Sequence, residues 1–178
     1  MKKVMAAVLF VVLLLSACGQ KETIEGVFIE EVELKQGLML ADLFEAGWTY
    51  DTEIHTDEYF LDTPVGGGET VMVKMLLTNG TSRVELYCKS KDAGRTLLSE
   101  CPVSRFVIYP GDIGNDMTLP GGVTFNDNKS NILKKLGKPL AEGDYALIYE
   151  NVPGIADITF ILKDDMKKLD RIEISMKV

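Results

Sequence analysis

The sequence predicts an α+β protein made of two tandem units, each a short helix followed by a three-stranded antiparallel meander. Three observations carry this expectation. Apolar residues alternate with polar ones along several stretches, the period of a strand with one buried face. Two further stretches carry apolar residues at helical spacing and end in glycine, as a helix with a C-terminal stop does. The order helix, strand, strand, strand also occurs twice, over Gly37 to Tyr109 and over Gly122 to Met176, with Pro110 to Gly121 as the seam.

In the first unit, spanning 35–110, Leu40, Leu43 and Phe44 form an apolar stripe that stops at Gly47. Trp48 and Tyr50 follow and are read as packing on the sheet, since aromatic residues usually supply core area. Thr70 to Thr78 and Arg83 to Lys89 flank Asn79-Gly80. Asn-Gly suits a two-residue type I′ turn, in which both residues need positive φ. That turn sets Thr78 opposite Thr81, Met75 opposite Val84, Val73 opposite Leu86 and Val71 opposite Cys88. The last three pairs are apolar, so Cys88 points into the core. Val103 to Tyr109 is the next strand, with Cys101 just before it.

The second unit, spanning 111–178, repeats the plan. Ile132, Leu133 and Leu136 lie at helical spacing, with Asp127 or Asn128 as N-cap, Gly137 as the stop and Pro139 beyond it. Strands follow at Tyr145 to Glu150, Asp157 to Lys163 and Leu169 to Met176. Val152-Pro153-Gly154 turns the first into the second, and Asp164 to Lys168 connects the second to the third.

Ahead of both units stands a different kind of segment. Lys2 and Lys3 precede an apolar run from Val4 to Leu15, closed by Ser16-Ala17-Cys18. A charged start, a short apolar core and a small-residue exit describe a secretory signal over 1–17. The run is shorter than the roughly 20 residues of a membrane span. Leu15-Ser16-Ala17-Cys18 resembles the lipobox of bacterial lipoproteins. That resemblance implies diacylglycerol on the Cys18 thiol, cleavage before Cys18, and residence at the extracytoplasmic face of the cell membrane. Each buried CH₂ of the acyl chains contributes about 0.8 kcal/mol to the anchor. Residues 18–34 are then anchor and tether.

A second resemblance rests on Gly122-Val123-Thr124 and on the helix that closes with Leu136-Gly137-Lys138-Pro139. This stretch is similar to a segment of small envelope lipoproteins of Gram-positive bacteria. It also resembles the helix of the outer-membrane assembly lipoprotein and β-lactamase-inhibitor-like families. The resemblance implies helices packed on an antiparallel sheet and a task in binding other proteins.

Charge narrows the partners. The 178 residues carry a formal net charge of -8, and loss of 1–17 removes Lys2 and Lys3 and no acid, moving it to -10. Nucleic acid calls for a basic face and is excluded as a partner. An acidic domain is also repelled by an anionic membrane and stands off it on the tether. With Cys18 committed to lipid, two of the three cysteines remain. Cys88 and Cys101 are either a disulfide, which an exported protein permits and which would contribute about 3 kcal/mol, or two separate buried thiols.

The chain lacks the commoner catalytic patterns. A single histidine cannot build a His-rich zinc site. There is no Gly-x-Ser-x-Gly elbow and no Cys-x-x-Cys. Gly66-Gly67-Gly68 lacks the Lys-Ser/Thr of a phosphate loop and reads as a hinge. Asp51, Glu53, His55 and Asp57 alternate, so in an extended segment all four share a face and could meet on a cation; runs of charge more often simply face water. Asp112, Asn115 and Asp116 read as a turn. No catalytic residue and no cofactor is expected. The expected partners are the membrane, through lipid on Cys18, and an envelope protein. The function is a non-catalytic protein-binding module of the cell envelope, the alternative being a small-molecule or cation-binding accessory lipoprotein. Replacing Cys18 with alanine should move the protein from the membrane to the soluble fraction of lysed cells; membrane retention equal to wild type would exclude the anchor.

Overall fold

The computed structural model describes residues 26–51, 64–65, 72–90, 96–113, 117–150 and 152–178. Residues 1–17, where a signal is expected, Cys18 and the Gly66–Gly68 stretch lie outside them. Among the described residues the dominant element is one antiparallel sheet of eight strands. Its strands are β3 (Thr49–Tyr50), β5 (Met72–Thr78), β6 (Arg83–Lys89), β8 (Val103–Ile108), β10 (Ala141–Glu142), β11 (Ala146–Glu150), β12 (Ile155–Leu162) and β13 (Leu169–Met176). They lie in the order β10-β11-β12-β13-β8-β6-β5-β3. A second sheet, in the order β2-β1-β9, joins β1 (Val27–Ile29), β2 (Val32–Leu34) and β9 (Met117–Thr118). Two short strands, β4 (Pro64–Val65) and β7 (Thr96–Leu97), pair with each other.

The long strands fall close to where alternation placed them, because burying every second side chain pins a strand to its sheet. Val84, Leu86 and Cys88 of β6, Phe106 and Ile108 of β8, Ile158, Phe160 and Leu162 of β12, and Ile172 and Ile174 of β13 are all buried. They form a single apolar cluster with Val27, Ile29 and Leu34 of the small sheet and with Leu40, Leu43 and Ile132 of the helices. One face of the large sheet is therefore covered by the small sheet, α1 (Leu40–Glu45) and α2 (Lys129–Leu136). Truncating a phenylalanine such as Phe160 in such a core costs about 3–5 kcal/mol.

Two independent helix-plus-meander units do not form. The fold is mostly β, with α-helices of only six and eight residues among the described ones. The two expected meanders merge because β8 pairs with β13, setting Ile108 against Ile172 and Phe106 against Ile174. Left apart, those strands would be two long apolar edges with unpaired backbone groups, which a stable fold avoids. The expected boundary at 110/111 thus separates strands that share one sheet.

Two local corrections follow the same logic. The tether expected over 18–34 ends by Val27, since Val27, Ile29 and Leu34 are buried and residues 27–34 make the β1–β2 hairpin. The Asn79-Gly80 connection is longer than a two-residue turn. It leaves Leu77 opposite Val84, Met75 opposite Leu86 and Val73 opposite Cys88. The Asn79 side chain causes this: its Oδ1 accepts from the Ser82 N–H at 2.8 Å and the Thr81 N–H at 3.1 Å, closing a four-residue loop over Asn79 to Ser82 in the manner of an Asx turn. The shift is two residues, so every side chain keeps its expected face and Cys88 still points inward.

Close contacts lock the layers. Gly154, at φ +80, turns β11 into β12 against the exit of β2; a Cβ there would sit 3.0 Å from Lys35 Cα and 3.3 Å from the Leu34 carbonyl. Only glycine meets both demands at that place. At α2, Asn128 Oδ1 accepts from the Asn131 N–H at 2.9 Å, and the Gly137 N–H (φ 76) donates to the Leu133 carbonyl at 2.8 Å. Asp127 Oδ2 accepts from the Thr124 N–H and from Lys135 Nζ, each at 2.7 Å. Burial alone would raise the Asp127 carboxyl, but the hydrogen bonds from Lys135 and Thr124, with the Lys135 charge, hold it below the ordinary range. A folded value below the unfolded one of about 3.9 gives stabilisation at neutral pH that is lost as pH falls through the folded value. Asp127→Asn should lower stability by about 1 kcal/mol at pH 7 and by progressively less below about pH 4, as read by urea unfolding.

Candidate functional site

The same alternation that fills the core assigns every other residue to the outer face of the large sheet. Glu85 and Tyr87 on β6, Arg105 on β8, Arg171, Glu173 and Ser175 on β13, and Asp157, Thr159 and Ile161 on β12 project there, all partly exposed. Pairing brings them together in rows across strands: Tyr87 faces Arg105, Arg105 faces Ser175, and Glu173 faces Thr159.

One connected network crosses three neighbouring strands. The Tyr87 hydroxyl donates to Glu85 Oε1 at 2.8 Å. The Arg105 guanidinium lies 5.6 Å from the centre of the Tyr87 ring, within cation–π range. Arg105 Nη2 donates to Glu173 Oε2. The other oxygen of that carboxylate accepts from Arg171 Nε at 2.8 Å, and Arg171 Nη1 reaches Asp170 Oδ2 at 3.2 Å. Glu173 is thus shared by two arginines from adjacent strands. Its hydrogen bond is the chief reason that Arg171 is held more firmly protonated than usual. Exposed ion pairs contribute little to stability, about 0–1 kcal/mol each. What the network does is fix the orientation of two arginines and a tyrosine on a rigid sheet.

Two open grooves stand out among the described residues, and one of them borders this network. One, of about 720 Å³, is lined by Tyr145, Ile161, Asp165, Asp170 and Arg171 and so continues the network towards the β12–β13 connection. Tyr145 is 46% exposed there, and Tyr109, at the end of β8, is 39% exposed. The other groove, of about 810 Å³, lies between Glu30 and Glu31 of the β1–β2 turn and Ala46, Thr81 and Thr118. Asn79 Nδ2 donates to the Glu30 carboxylate, tying that turn to the β5–β6 loop.

The residues singled out in the sequence are placed as follows. Asp51 is buried, its N–H donating to the Leu76 carbonyl at 3.0 Å and its Oδ2 lying 2.5 Å from Arg83 Nε. Glu53, His55 and Asp57 lie outside the described residues, and among the described ones no group of three metal-ligating side chains comes together. Asp112 sits in a turn after β8, where burial pushes its carboxyl up against the opposing pull of Arg83. Trp48 is buried, and Tyr50 packs edge-on against Phe44 with ring centres 5.1 Å apart. Cys88 and Cys101 are both buried thiols. The Arg105–Glu173–Arg171 network leaves no local signal in the sequence. Its members stand at the polar positions of alternating strands, but their meeting depends on β8 pairing with β13, and no local pattern encodes that choice.

Compared with protein-family models, with curated proteins and with solved structures, the chain matches none. No helix among the described residues is long and apolar enough to cross a membrane.

Proposed function

We propose that this chain is a lipid-anchored extracytoplasmic lipoprotein that works without catalysis, binding another envelope protein through the outer face of its large sheet. The observation that carries the reading is the array Tyr87–Arg105–Glu173–Arg171, with Tyr109 and Tyr145 exposed near it. Arginine and tyrosine are the side chains that most often dominate binding energy between proteins. Here the rotamers of Tyr87, Arg105 and Arg171 are restrained before any partner arrives, which lowers the ordering cost of association. The lipobox resemblance at Cys18 supports a partner outside the cytoplasm, and the acidic chain argues against nucleic acid.

The test is site-specific photo-crosslinking in intact cells. A photoreactive residue at Tyr109 should give a discrete protein adduct, and one at Lys134 on the far layer should not. Arg105→Ala with Arg171→Ala should weaken capture at Tyr109 at least tenfold while leaving the chain folded. Equal adducts from both positions, or a Tyr109 adduct indifferent to the arginine changes, would contradict the reading. Saturable binding of a small cation or sugar by the purified protein, with no protein adduct, would favour the accessory ligand-binding alternative.

A further inference from the structure

We propose that Cys88 and Cys101 are joined by a disulfide when the chain folds outside the cytoplasm. The proposal rests on the reading of the chain as exported. Cys88 ends the inward row of β6 and pairs with Val103 of β8. The Lys89 N–H donates to the Pro102 carbonyl at 3.1 Å, so the two backbones stay together one residue further. Alternation then returns Cys101, two residues before Val103, to the same inward face as Cys88. Both residues are fully buried, in the same apolar cluster.

An undistorted ladder holds such diagonal neighbours about 7–8 Å apart at Cα, beyond the roughly 4.4–6.8 Å that a disulfide spans, so the bond needs the backbone to close in here. Two features let the chain give at this place. The β6–β8 register breaks between Tyr87 and Cys88. Cys101 also caps a single 3-10 turn, Leu98–Glu100, closed by its N–H to the Leu98 carbonyl at 3.1 Å. The Cys101 carbonyl meanwhile accepts from the Leu40 N–H at 3.3 Å, so the bond would fasten β6, β8 and the start of α1 at one point.

The two cysteines are thiols in the structure, and burial explains why the bond must form early. Burial, and then the neighbouring Cys101, push the Cys88 thiol up to about 12; burial and then Glu100 push Cys101 up as well. Thiolate, the form that attacks, is scarce once the core has closed. During folding, one thiolate attacks the disulfide of an exchange oxidant and forms a mixed disulfide. The second thiolate then displaces the oxidant, which leaves as its dithiol. The protein loses two protons and two electrons, and the oxidant gains them.

The experiment uses the protein purified from cells, reduced, unfolded, and refolded in a buffer of glutathione and glutathione disulfide. It is then unfolded without reductant, alkylated, digested and weighed. The expected product is a Cys88–Cys101 cross-linked peptide two hydrogens lighter than the free pair, with no alkylation at either position. Its reduction should lower the folded-to-unfolded ratio about a hundredfold, as removing a link of this length does. Alkylation of both thiols, or a separate glutathione adduct on each, overturns the bridge whatever the compartment. Alkylation of Cys18 in the same digest would instead count against the lipid anchor and leave the bridge to be judged on its own peptide.

Discussion

The antiparallel pairing of β8 with β13 is the contact on which the rest of this molecule depends. On its inner side it sets Phe106 and Ile108 against Ile174 and Ile172, all buried. On its outer side it sets Arg105 beside Glu173, which Arg171 also holds. One backbone ladder thus makes the core continuous and assembles the network proposed as the binding face. It also removes what would otherwise be two long apolar edges, leaving the large sheet to end on β3 and β10, each of two residues. Short edges are poor templates for unwanted strand addition.

The two faces of the sheet answer to different physics. The inner face draws its energy from apolar area removed from water, at roughly 25 cal/mol per Å², and tolerates little change of shape. The outer face contributes little to stability through its ion pairs, so its residues are free to be set by something other than folding. Two restrained arginines and a restrained tyrosine on a rigid sheet are hard to explain as a requirement of the fold. That contrast is the physical basis for placing function on the outer face.

Much of this fold was legible in the sequence, and the reasons are local. Alternation in Arg83–Lys89 and Leu169–Met176 marks strands because only one face of each is buried. Asn128, Ile132 and Gly137 mark the cap, core contact and stop of α2. What could not be read was non-local. Nothing in Val103–Ile108 says that its neighbour is β13, some 65 residues away, and so the local pattern predicts two units where one continuous sheet forms. The Asn79 side chain, which closes its own loop, displaced the β5–β6 register by two residues without changing a single face. Val27, Ile29 and Leu34 are too few to announce a hairpin, although all three are core residues. The network around Glu173 was hidden for the same reason as the sheet, since its members are distant in sequence and adjacent only through β8 and β13.

Because the account makes β8–β13 the joint of a single cooperative structure, equilibrium unfolding with one probe on each side of that joint tests it most directly. Trp48, the only tryptophan, is buried beside α1 and reports the side that carries β3, β5 and β6. Amide exchange in β11 and β12 reports the other. Unfolding in urea should expose Trp48 and release those amides in one coincident transition, as a two-state domain does. Persistent protection of β11 and β12 after Trp48 has become exposed would mean that the two sides fold separately, and it would contradict both the shared sheet and the binding face proposed upon it.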